Sequence, residues 1–469
     1  MAFQETVTTG YGTRVGRSFK SIGSGFLLFI AATALLWWNE GRAVKTDKML
    51  NEAEGAYVEM ENPNKIDPAL DGELICGSAL ATTNDSLIDQ QFGIGATAIS
   101  IQRDVEYYQW VEHSESKSED KLGGKEVTTT TYTYSKEWVS SPVESASFKD
   151  PAYQNKNTVF ATVEEQDLWA ENVSFGAYKL NESLIHSISS KQPMDLNIND
   201  DLLKEINRNT QLAYERTYGK VNISEVKAQQ EQLAQQQAQQ QAQAVATADT
   251  AKAQEPAPAP APDKSNYDFI HQNGNVLYYG LTPGAPQVGD VRVTFNKIIP
   301  AKVTIIAQVN GDSFKAFKAK NGKRFQRLVM GKTDAEEIFE GERAANSMWL
   351  WVLRILGIIL VISGLKGIFG FLEIILKVVP FIANIIGWGV GVVCTVVGFV
   401  WSLIVIALAW LFYRPLIGIS LLLLAGFLIW VFAFKGKDKL KEMAANAKNK
   451  QDAAAPAQAP APEADNQQQ

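Results

Sequence analysis

The sequence predicts an α+β membrane protein with four transmembrane helices and a large β-rich extramembrane domain between helices 1 and 2. Three observations predict this fold class: one apolar stretch near the N-terminus, about three hundred mainly polar residues after it, and membrane-length apolar runs between residues 349 and 434. A hydrocarbon core of about 30 Å requires about twenty helical residues, because each residue advances the helix by about 1.5 Å.

The first predicted span, residues 22–38, contains no charged residue and follows a basic N-terminal segment, residues 1–21. Trp37 and Trp38 end the span, as aromatic residues often do at a membrane interface. A cleaved secretory signal is the alternative, since residues 32–34 are the small residues Ala-Thr-Ala. The apolar run continues beyond them to Trp38, which favours a retained helix.

The three C-terminal predicted spans are residues 349–371, 382–412 and 416–434. The second span of the chain contains Arg354 and Lys366, each near one end, where a long side chain can extend toward the lipid headgroups. The third and fourth spans are uncharged, and the residues between them, Tyr413, Arg414 and Pro415, predict a tight turn. The chain is therefore expected to cross the membrane four times.

Lysine and arginine near the ends of the spans predict the orientation, because they are enriched on the cytoplasmic side. Basic residues precede the first span, and the C-terminal tail, residues 435–469, starts with several lysines before an Ala-Pro-rich stretch that we expect to be disordered. Both termini are therefore expected in the cytoplasm. Residues 40–348, on the opposite side, contain 31 basic and 44 acidic residues, a net charge of −13, which gives no electrostatic reason to bind nucleic acid.

The extramembrane domain is predicted in two parts, residues 39–225 and 265–348, separated by a linker, residues 226–264. The linker is rich in Gln, Ala and Pro and has no apolar stripe that could form a core. Its Gln-Ala half predicts a solvated helix or coiled coil, and its Pro-Ala half predicts extended polyproline geometry or disorder.

Alternating apolar residues predict strands on both sides of the linker. Residues 106–112 and 131–138 flank Gly123-Gly124, which predicts a hairpin with its aromatic residues paired across the strands. The two-residue period from Val291 onward, with turns at Asn310-Gly311 and Asn321-Gly322, predicts a meander of about four short strands. Residues 196–214 have apolar residues at helical spacing and predict one amphipathic helix before the linker.

The residue types that usually form catalytic or metal centres are few and scattered. The two cysteines, Cys76 and Cys394, are predicted in different environments, and the three histidines have no metal-ligand spacing. Gly331-Lys332-Thr333 lacks the earlier glycine of a phosphate-binding loop, and Thr333 with Glu336 instead has the spacing of a helix-capping box. We therefore expect no enzyme activity, cofactor or metal.

Polar groups in and beside the predicted spans are the main candidates for a site within the membrane. They are Arg354, Lys366, Glu373, Lys377 and Arg414. Glu373 precedes Lys377 by four residues, the favourable order for a helical ion pair. Because all lie near span ends, extension toward the headgroups is the simpler interpretation, and an ion or proton pathway is the alternative. Gly387 and Gly391 have the spacing at which helices approach closely, either within one chain or between copies.

Several separated motifs, in order, make the chain resemble the LUMA family, also called the transmembrane protein 43 family. The motif positions are Asn39, Glu40, Gly41 and Arg42 after the first span, Trp110 and Trp138 in the aromatic strands, Gly289, Asp290 and Arg292, and Tyr413 with Pro415. The resemblance implies four spans, a large loop between the first two, and no established catalytic residue. The linker and the Pro-Ala tail are typical of a bacterial or divergent member.

These observations predict an integral membrane scaffold that organises the membrane and binds other membrane proteins through its exposed domain and spans. The alternative is an oligomeric transporter or channel-like protein that uses the polar groups around the second span. The expected partners are the lipid bilayer, other membrane proteins and possible further copies of the chain, without nucleic acid. The expected location is the cytoplasmic membrane with a periplasmic or extracellular domain in a bacterium, or the endoplasmic reticulum or nuclear envelope in a eukaryote.

Overall fold

The computed structural model describes residues 3–226, 267–376, 380–413, 419–420, 423–424 and 426–430. The chain divides into two compact units. The exposed unit comprises Met1–Thr8, Asp47–Glu119 and Glu126–Ala344, and the membrane unit comprises Thr9–Thr46, Asp120–Lys125 and Ala345–Gln469. Most of the predicted linker and the whole C-terminal tail, residues 435–469, lie outside the described residues.

Five α-helices and nineteen strands are described with both ends, besides two short 3-10 helices at Pro68–Leu70 and Ser145–Ser147. The helices are α1 Tyr11–Glu54, α2 Glu182–Ile185, α3 Asp200–Tyr218, α4 Ala335–Leu376 and α5 Pro380–Tyr413. The strands are β1 Phe3–Thr9, β2 Tyr57–Glu59, β3 Leu74–Thr83, β4 Ser86–Asp89, β5 Ile94–Thr97, β6 Ser100–Asp120, β7 Glu126–Val139, β8 Gln166–Trp169, β9 Val173–Phe175, β10 Tyr178–Lys179, β11 Lys191–Pro193, β12 Ile270–Asn273, β13 Val276–Tyr279, β14 Val291–Ile298, β15 Ala301–Asn310, β16 Ser313–Lys315, β17 Phe317–Lys318, β18 Arg324–Phe325 and β19 Arg327–Met330.

Three described helices, α1, α4 and α5, are long and apolar enough to cross a membrane. Within the membrane unit they bury a shared core that includes Leu36 of α1, Val361 of α4 and Ile406 of α5. α1 and α4 extend well beyond the predicted spans because no proline interrupts the polar sequence on either side. The fourth predicted span, residues 416–434, lies largely outside the described residues, so the structure supports three of the four predicted crossings.

The first sheet of the exposed unit has eight strands in the order β1-β7-β6-β14-β13-β12, with β8 beside β6 and β11 beside β14. β6 and β14 are antiparallel, with Tyr107 opposite Val291 and Arg103 opposite Phe295. The predicted hairpin is confirmed by β6 and β7, whose connection contains Gly123 and Gly124 at φ +82° and +75°. One face of this sheet and α3 enclose an apolar core.

The second sheet has seven strands in the order β19-β15-β16-β10-β9-β3-β2, and β15 also pairs with β3. The predicted meander from Val291 is wrong in one respect, because β14 lies in the first sheet whereas β15 lies in the second. Pro300 separates these two strands and cannot donate a backbone hydrogen bond, so pairing stops between them. The predicted turn glycines Gly311 and Gly322 do have left-handed backbones, at φ +63° and +82°.

The predicted helix before the linker is confirmed as α3, which begins at Asp200 rather than near residue 196. Asn199 caps it by accepting a hydrogen bond from the Asp201 backbone amide at 2.8 Å. The predicted capping role of Thr333 is wrong: α4 begins at Ala335, and the Thr333 amide donates to Thr304 Oγ1 at 3.0 Å. α4 nevertheless continues without interruption into its apolar segment.

The N-terminal strand β1 was not predicted and bears on the orientation of the chain. Thr6 Oγ1 lies 3.5 Å from Thr129 Oγ1 of β7, and Gln4 Nε2 donates to Thr131 Oγ1 at 3.2 Å. Paired strands share one aqueous compartment, because lipid does not separate two hydrogen-bonded backbones. The assignment of residues 1–21 to the side opposite the exposed domain stays a prediction, and this pairing counts against it.

Candidate functional site

Three helices of the membrane unit bring together a buried ionic cluster, formed by Glu40 of α1, Arg354 of α4 and Trp410 of α5. Glu40 is 1% exposed and Arg354 is 9% exposed. Glu40 and Arg354 are 314 residues apart in sequence, so the packing of the helices alone makes them neighbours. We call these three residues the ionic cluster.

The ion pair in the cluster is bidentate. Arg354 Nε donates to Glu40 Oε1 at 2.6 Å, and Arg354 Nη2 donates to Glu40 Oε2 at 2.8 Å. Parallel hydrogen bonds of this kind fix the orientation of both side chains as well as their charge. A single buried charge in an apolar surrounding is very costly, so each partner makes the burial of the other possible.

Aromatic residues complete the surroundings of this pair. The Trp410 indole donates a hydrogen bond from Nε1 to Glu40 Oε2, the oxygen that also accepts from Arg354 Nη2. The Arg354 guanidinium carbon lies 4.8 Å from the ring centroid of Trp351 and 5.3 Å from that of Trp410. Both distances are within the range of cation–π attraction, which strengthens as water is removed. The cluster therefore joins all three helices through satisfied contacts.

A second polar layer lies one turn from the ionic cluster. Asn39 Nδ2 donates to the Leu350 carbonyl at 3.0 Å, and Asn346 Nδ2 donates to the Ala43 carbonyl at 3.1 Å. Arg42 Nη1 donates to Asn346 Oδ1 at 3.2 Å. These bonds connect α1 to α4 at two successive turns, at Leu350 and at Asn346, so they set the register of the two helices.

Gly41, the remaining residue of the Asn39–Arg42 motif, leaves space for a neighbouring side chain. A Cβ atom at Gly41 would lie 2.6 Å from the Tyr413 hydroxyl and 2.8 Å from Tyr413 Cζ. Only glycine leaves room for this approach of α5 to α1. Four consecutive motif residues thus serve one purpose, which is to join α1 to α4 and α5.

The structure corrects the predicted role of Arg354, which does not extend toward the headgroups but is buried against Glu40. Lys366 is exposed and Glu373 is half-buried, and the extension of Lys366 toward the headgroups stays a prediction. A Cβ atom at Gly391 would meet nothing within 4 Å, so the described residues show no close packing there within the chain, and packing between copies stays a prediction. Lys377, Arg414 and Pro415 lie outside the described residues, and the packing around Gly387 is likewise not described.

Close helix packing occurs instead at glycines that the sequence analysis missed. A Cβ atom at Gly25 of α1 would lie 2.8 Å from the Gly364 carbonyl oxygen and 2.8 Å from the Gly367 carbonyl carbon of α4. Ser21 and Gly25 have the small-residue spacing that predicts such a contact, so the signal was present in the first span.

The motif positions of the exposed unit lie along β6, β7 and β14. Partly exposed rings on β6, β7 and the segment after them form what we call the aromatic ladder: Tyr108, Trp110, Tyr134, Trp138 and Tyr153. Tyr134 and Tyr153 stack at 4.1 Å between ring centroids, and Trp110 meets Tyr153 edge-on at 4.8 Å. Lys136 Nζ lies 5.1 Å from the Trp110 ring centroid, within cation–π range.

Arg292 of β14 and Asp290, the residue before this strand, lie near the other end of this surface. The Arg292 guanidinium carbon lies 4.4 Å from the Trp138 ring centroid, and Arg292 Nη2 donates to Glu106 Oε1 at 2.8 Å. Asp290 Oδ2 accepts hydrogen bonds from the Tyr278 hydroxyl and from the Gln287 amide, the latter at 2.8 Å. Burial of this carboxyl group raises the pKa of Asp290 to about 7.

The described residues of these two sites make ion pairs, hydrogen bonds and ring contacts. Among the residues described, no group of three or more His, Cys, Asp or Glu side chains could hold a metal ion. Cys76 is a free, buried thiol, and burial raises its pKa to about 12, which opposes formation of the reactive thiolate. The ionic cluster joins helices, whereas the aromatic ladder forms a partly exposed surface.

Comparison with known proteins identifies the family of the chain. The family model described as Transmembrane protein 43 matches residues 107–227 and 203–415. The chain is 27% identical to Transmembrane protein 43 of Rattus norvegicus and of Homo sapiens over 419 residues, covering 87% of this chain and 88% of each relative. It is 22% identical to the Drosophila melanogaster homolog over 405 residues, covering 85% and 90%. No solved structure gives a significant match. The chain therefore belongs to the transmembrane protein 43, or LUMA, family of membrane proteins.

Proposed function

We propose that this protein is an integral membrane scaffold whose exposed domain binds partner proteins while its helices hold that domain at the membrane. The aromatic ladder is the observation that carries the proposal. Its rings are partly exposed and held in place by neighbouring rings, and Lys136 and Arg292 lie over two of them. Tryptophan, tyrosine and arginine are the residues that most often dominate binding at protein interfaces.

The arrangement of the ladder supports recognition of a partner with apolar and acidic groups. Rings fixed by stacking lose little conformational entropy when a partner binds. Lys136 is exposed beside Trp110, so the surface combines apolar area with positive charge although the domain as a whole is acidic. Complementary charge at such a surface increases the rate and specificity of association.

The ionic cluster supports the anchoring part of the proposal. Its charges are paired and enclosed by three helices, which is how a structural ion pair within a membrane bundle is arranged. The second candidate, an oligomeric transporter or channel, receives less support because Arg354, its leading residue, contacts Glu40 and two indole rings. A transporter is supported only if Glu40→Met or Arg354→Met abolishes a measured ion flux in liposomes while the protein stays folded.

Quantitative co-purification of the full-length protein in mild detergent tests the scaffold. We expect Trp110→Ala together with Lys136→Glu to lower the recovery of specific partners at least tenfold relative to the unaltered protein. Trp169→Ala is the matched control, because Trp169 is a partly exposed tryptophan of the same domain that lies outside the ladder. Recovery of the protein alone under several growth conditions, or equal partner loss in both variants, would contradict the proposal.

A further inference from the structure

An apolar cavity lies between the two helices α4 and α5 within the membrane unit. Its volume is about 510 Å³, and its walls include Leu365, Phe369 and Leu372 of α4 and Val390, Val393 and Val397 of α5. Ligand cavities in proteins commonly have volumes of about 300–1,000 Å³. The size and the apolar walls suit a hydrocarbon chain.

The cavity lies within the two helices that are apolar enough to cross a membrane. Molecules that reach it from the side are therefore lipid acyl chains rather than water. Val393 lines the cavity and is 61% exposed, so one side of the cavity is open to the molecules that surround the helices. An empty apolar space would lack dispersion contacts on one side, and an acyl chain restores them.

Lys366 is a positively charged residue next to this opening. Lys366 follows the lining residue Leu365 directly and precedes the lining residue Phe369 by three positions, which places it at the edge of the same helix face. Its side chain is exposed, on the helix that supplies one wall of the cavity. A lysine at this position complements a lipid with a negatively charged headgroup.

The structure also bears on two competing occupants of the cavity. The fourth predicted span could cover it, but its described residues, 419–420, 423–424 and 426–430, contribute nothing to the walls and are exposed except for Leu428. A second copy of the chain would bring another apolar helix, and the apolar surface of such a helix does not complement the Lys366 charge. Charge complementarity therefore favours a lipid.

We propose that this cavity binds one acyl chain of an anionic phospholipid, whose phosphate pairs with the Lys366 ammonium. The cavity shares no residue with the aromatic ladder, so lipid binding there does not depend on the scaffold function. We expect Lys366 to confer selectivity for the lipid headgroup, and the cavity to bind the acyl chain. Substitutions can alter these two contributions separately.

Photolabelling of the full-length protein in nanodiscs tests the site. The probes are phosphatidylglycerol and phosphatidylcholine, each with a diazirine in the middle of one acyl chain, and mass spectrometry locates the labelled peptides. We expect phosphatidylglycerol to label the segments 365–372 and 389–397 more strongly. Lys366→Gln should lower that labelling about fivefold, the effect of one lysine near an anionic membrane surface, whereas Lys366→Arg should preserve it.

Filling the cavity provides the second arm of the experiment. Val393→Trp should abolish labelling of these segments by both lipids. Val392→Trp is the matched control, because Val392 is the adjacent residue, is 43% exposed and does not line the cavity. Labelling that is equal for both lipids and unchanged in Lys366→Gln would overturn the proposal. So would cysteine crosslinks from position 393 to residues 416–434 or to a second copy.

Discussion

Removing one partner of the buried ion pair is expected to destabilise the helix bundle strongly. Glu40→Met leaves Arg354 buried without its counter-charge, and Arg354→Met leaves the Glu40 carboxylate in the same position. Breaking a buried pair in this way costs about 3–5 kcal/mol, because the remaining charge keeps its desolvation cost. At 1% exposure for Glu40 and 9% for Arg354, water cannot reach the remaining group without opening the bundle.

The double variant Glu40→Met with Arg354→Met provides the decisive comparison. Replacing both charges by apolar groups of similar volume removes the desolvation cost together with the attraction, and this is often neutral for stability. We therefore expect the double variant to be more stable than either single variant, so the three losses are far from additive. The free energy of unfolding is measured in mixed micelles by titration with sodium dodecyl sulfate.

A partly exposed pair in the same chain serves as the control. Arg343 and Glu54 also form an ion pair, but their side chains are 34% and 36% exposed. Glu54→Gln is expected to cost about 1 kcal/mol or less, because water can solvate the remaining charge. Single losses below about 1 kcal/mol at Glu40 and Arg354, or a double variant whose loss equals the sum of the two, would refute the reasoning.

Three further predictions follow from other parts of the structure. Because burial raises the pKa of Asp290 from an ordinary value of 3.8 to about 7, the folded state retains a proton that the unfolded state has lost, and stability should fall between about pH 4 and 7. The slope should approach about 1.4 kcal/mol per pH unit and be absent in Asp290→Asn, as denaturation at several pH values will show. Gly25→Leu should cost about 1–3 kcal/mol in the same titration, whereas Gly23→Leu, where a Cβ meets nothing within 4 Å, should cost little. Cysteines introduced at Thr6 and Thr129 should form a disulfide in intact membranes, and persistent free thiols would show that β1 does not pair with β7.

Local patterns in the sequence predicted much of the fold. The paired aromatic strands around Gly123-Gly124 and the amphipathic helix before the linker each depend on neighbouring residues, so their periodicity was sufficient. The apolar lengths of the first three spans were sufficient for the same reason. By contrast, only Phe3 and Val7 of the seven residues of β1 are apolar, so the strand lacks the alternating pattern that would identify it without a known partner.

The candidate site depended on contacts that local patterns do not contain. Arg354 near the end of a span is compatible with a side chain that extends toward the headgroups, and only its packing against a residue 314 positions away shows otherwise. The Asn39–Arg42 motif indicated importance, but it did not reveal that Gly41 leaves room for Tyr413. The alternating pattern from Val291 onward did not reveal that β14 and β15 belong to different sheets.

Site-specific photocrosslinking from position 136 in intact cells tests the scaffold function most directly. A photoreactive amino acid replaces Lys136, which is exposed beside the Trp110 ring, and the same amino acid replaces Lys179, which is 66% exposed outside the ladder, as the control. The account predicts discrete adducts with another protein from position 136 that are absent from position 179. No adducts at position 136, or the same adducts from both positions, would contradict it.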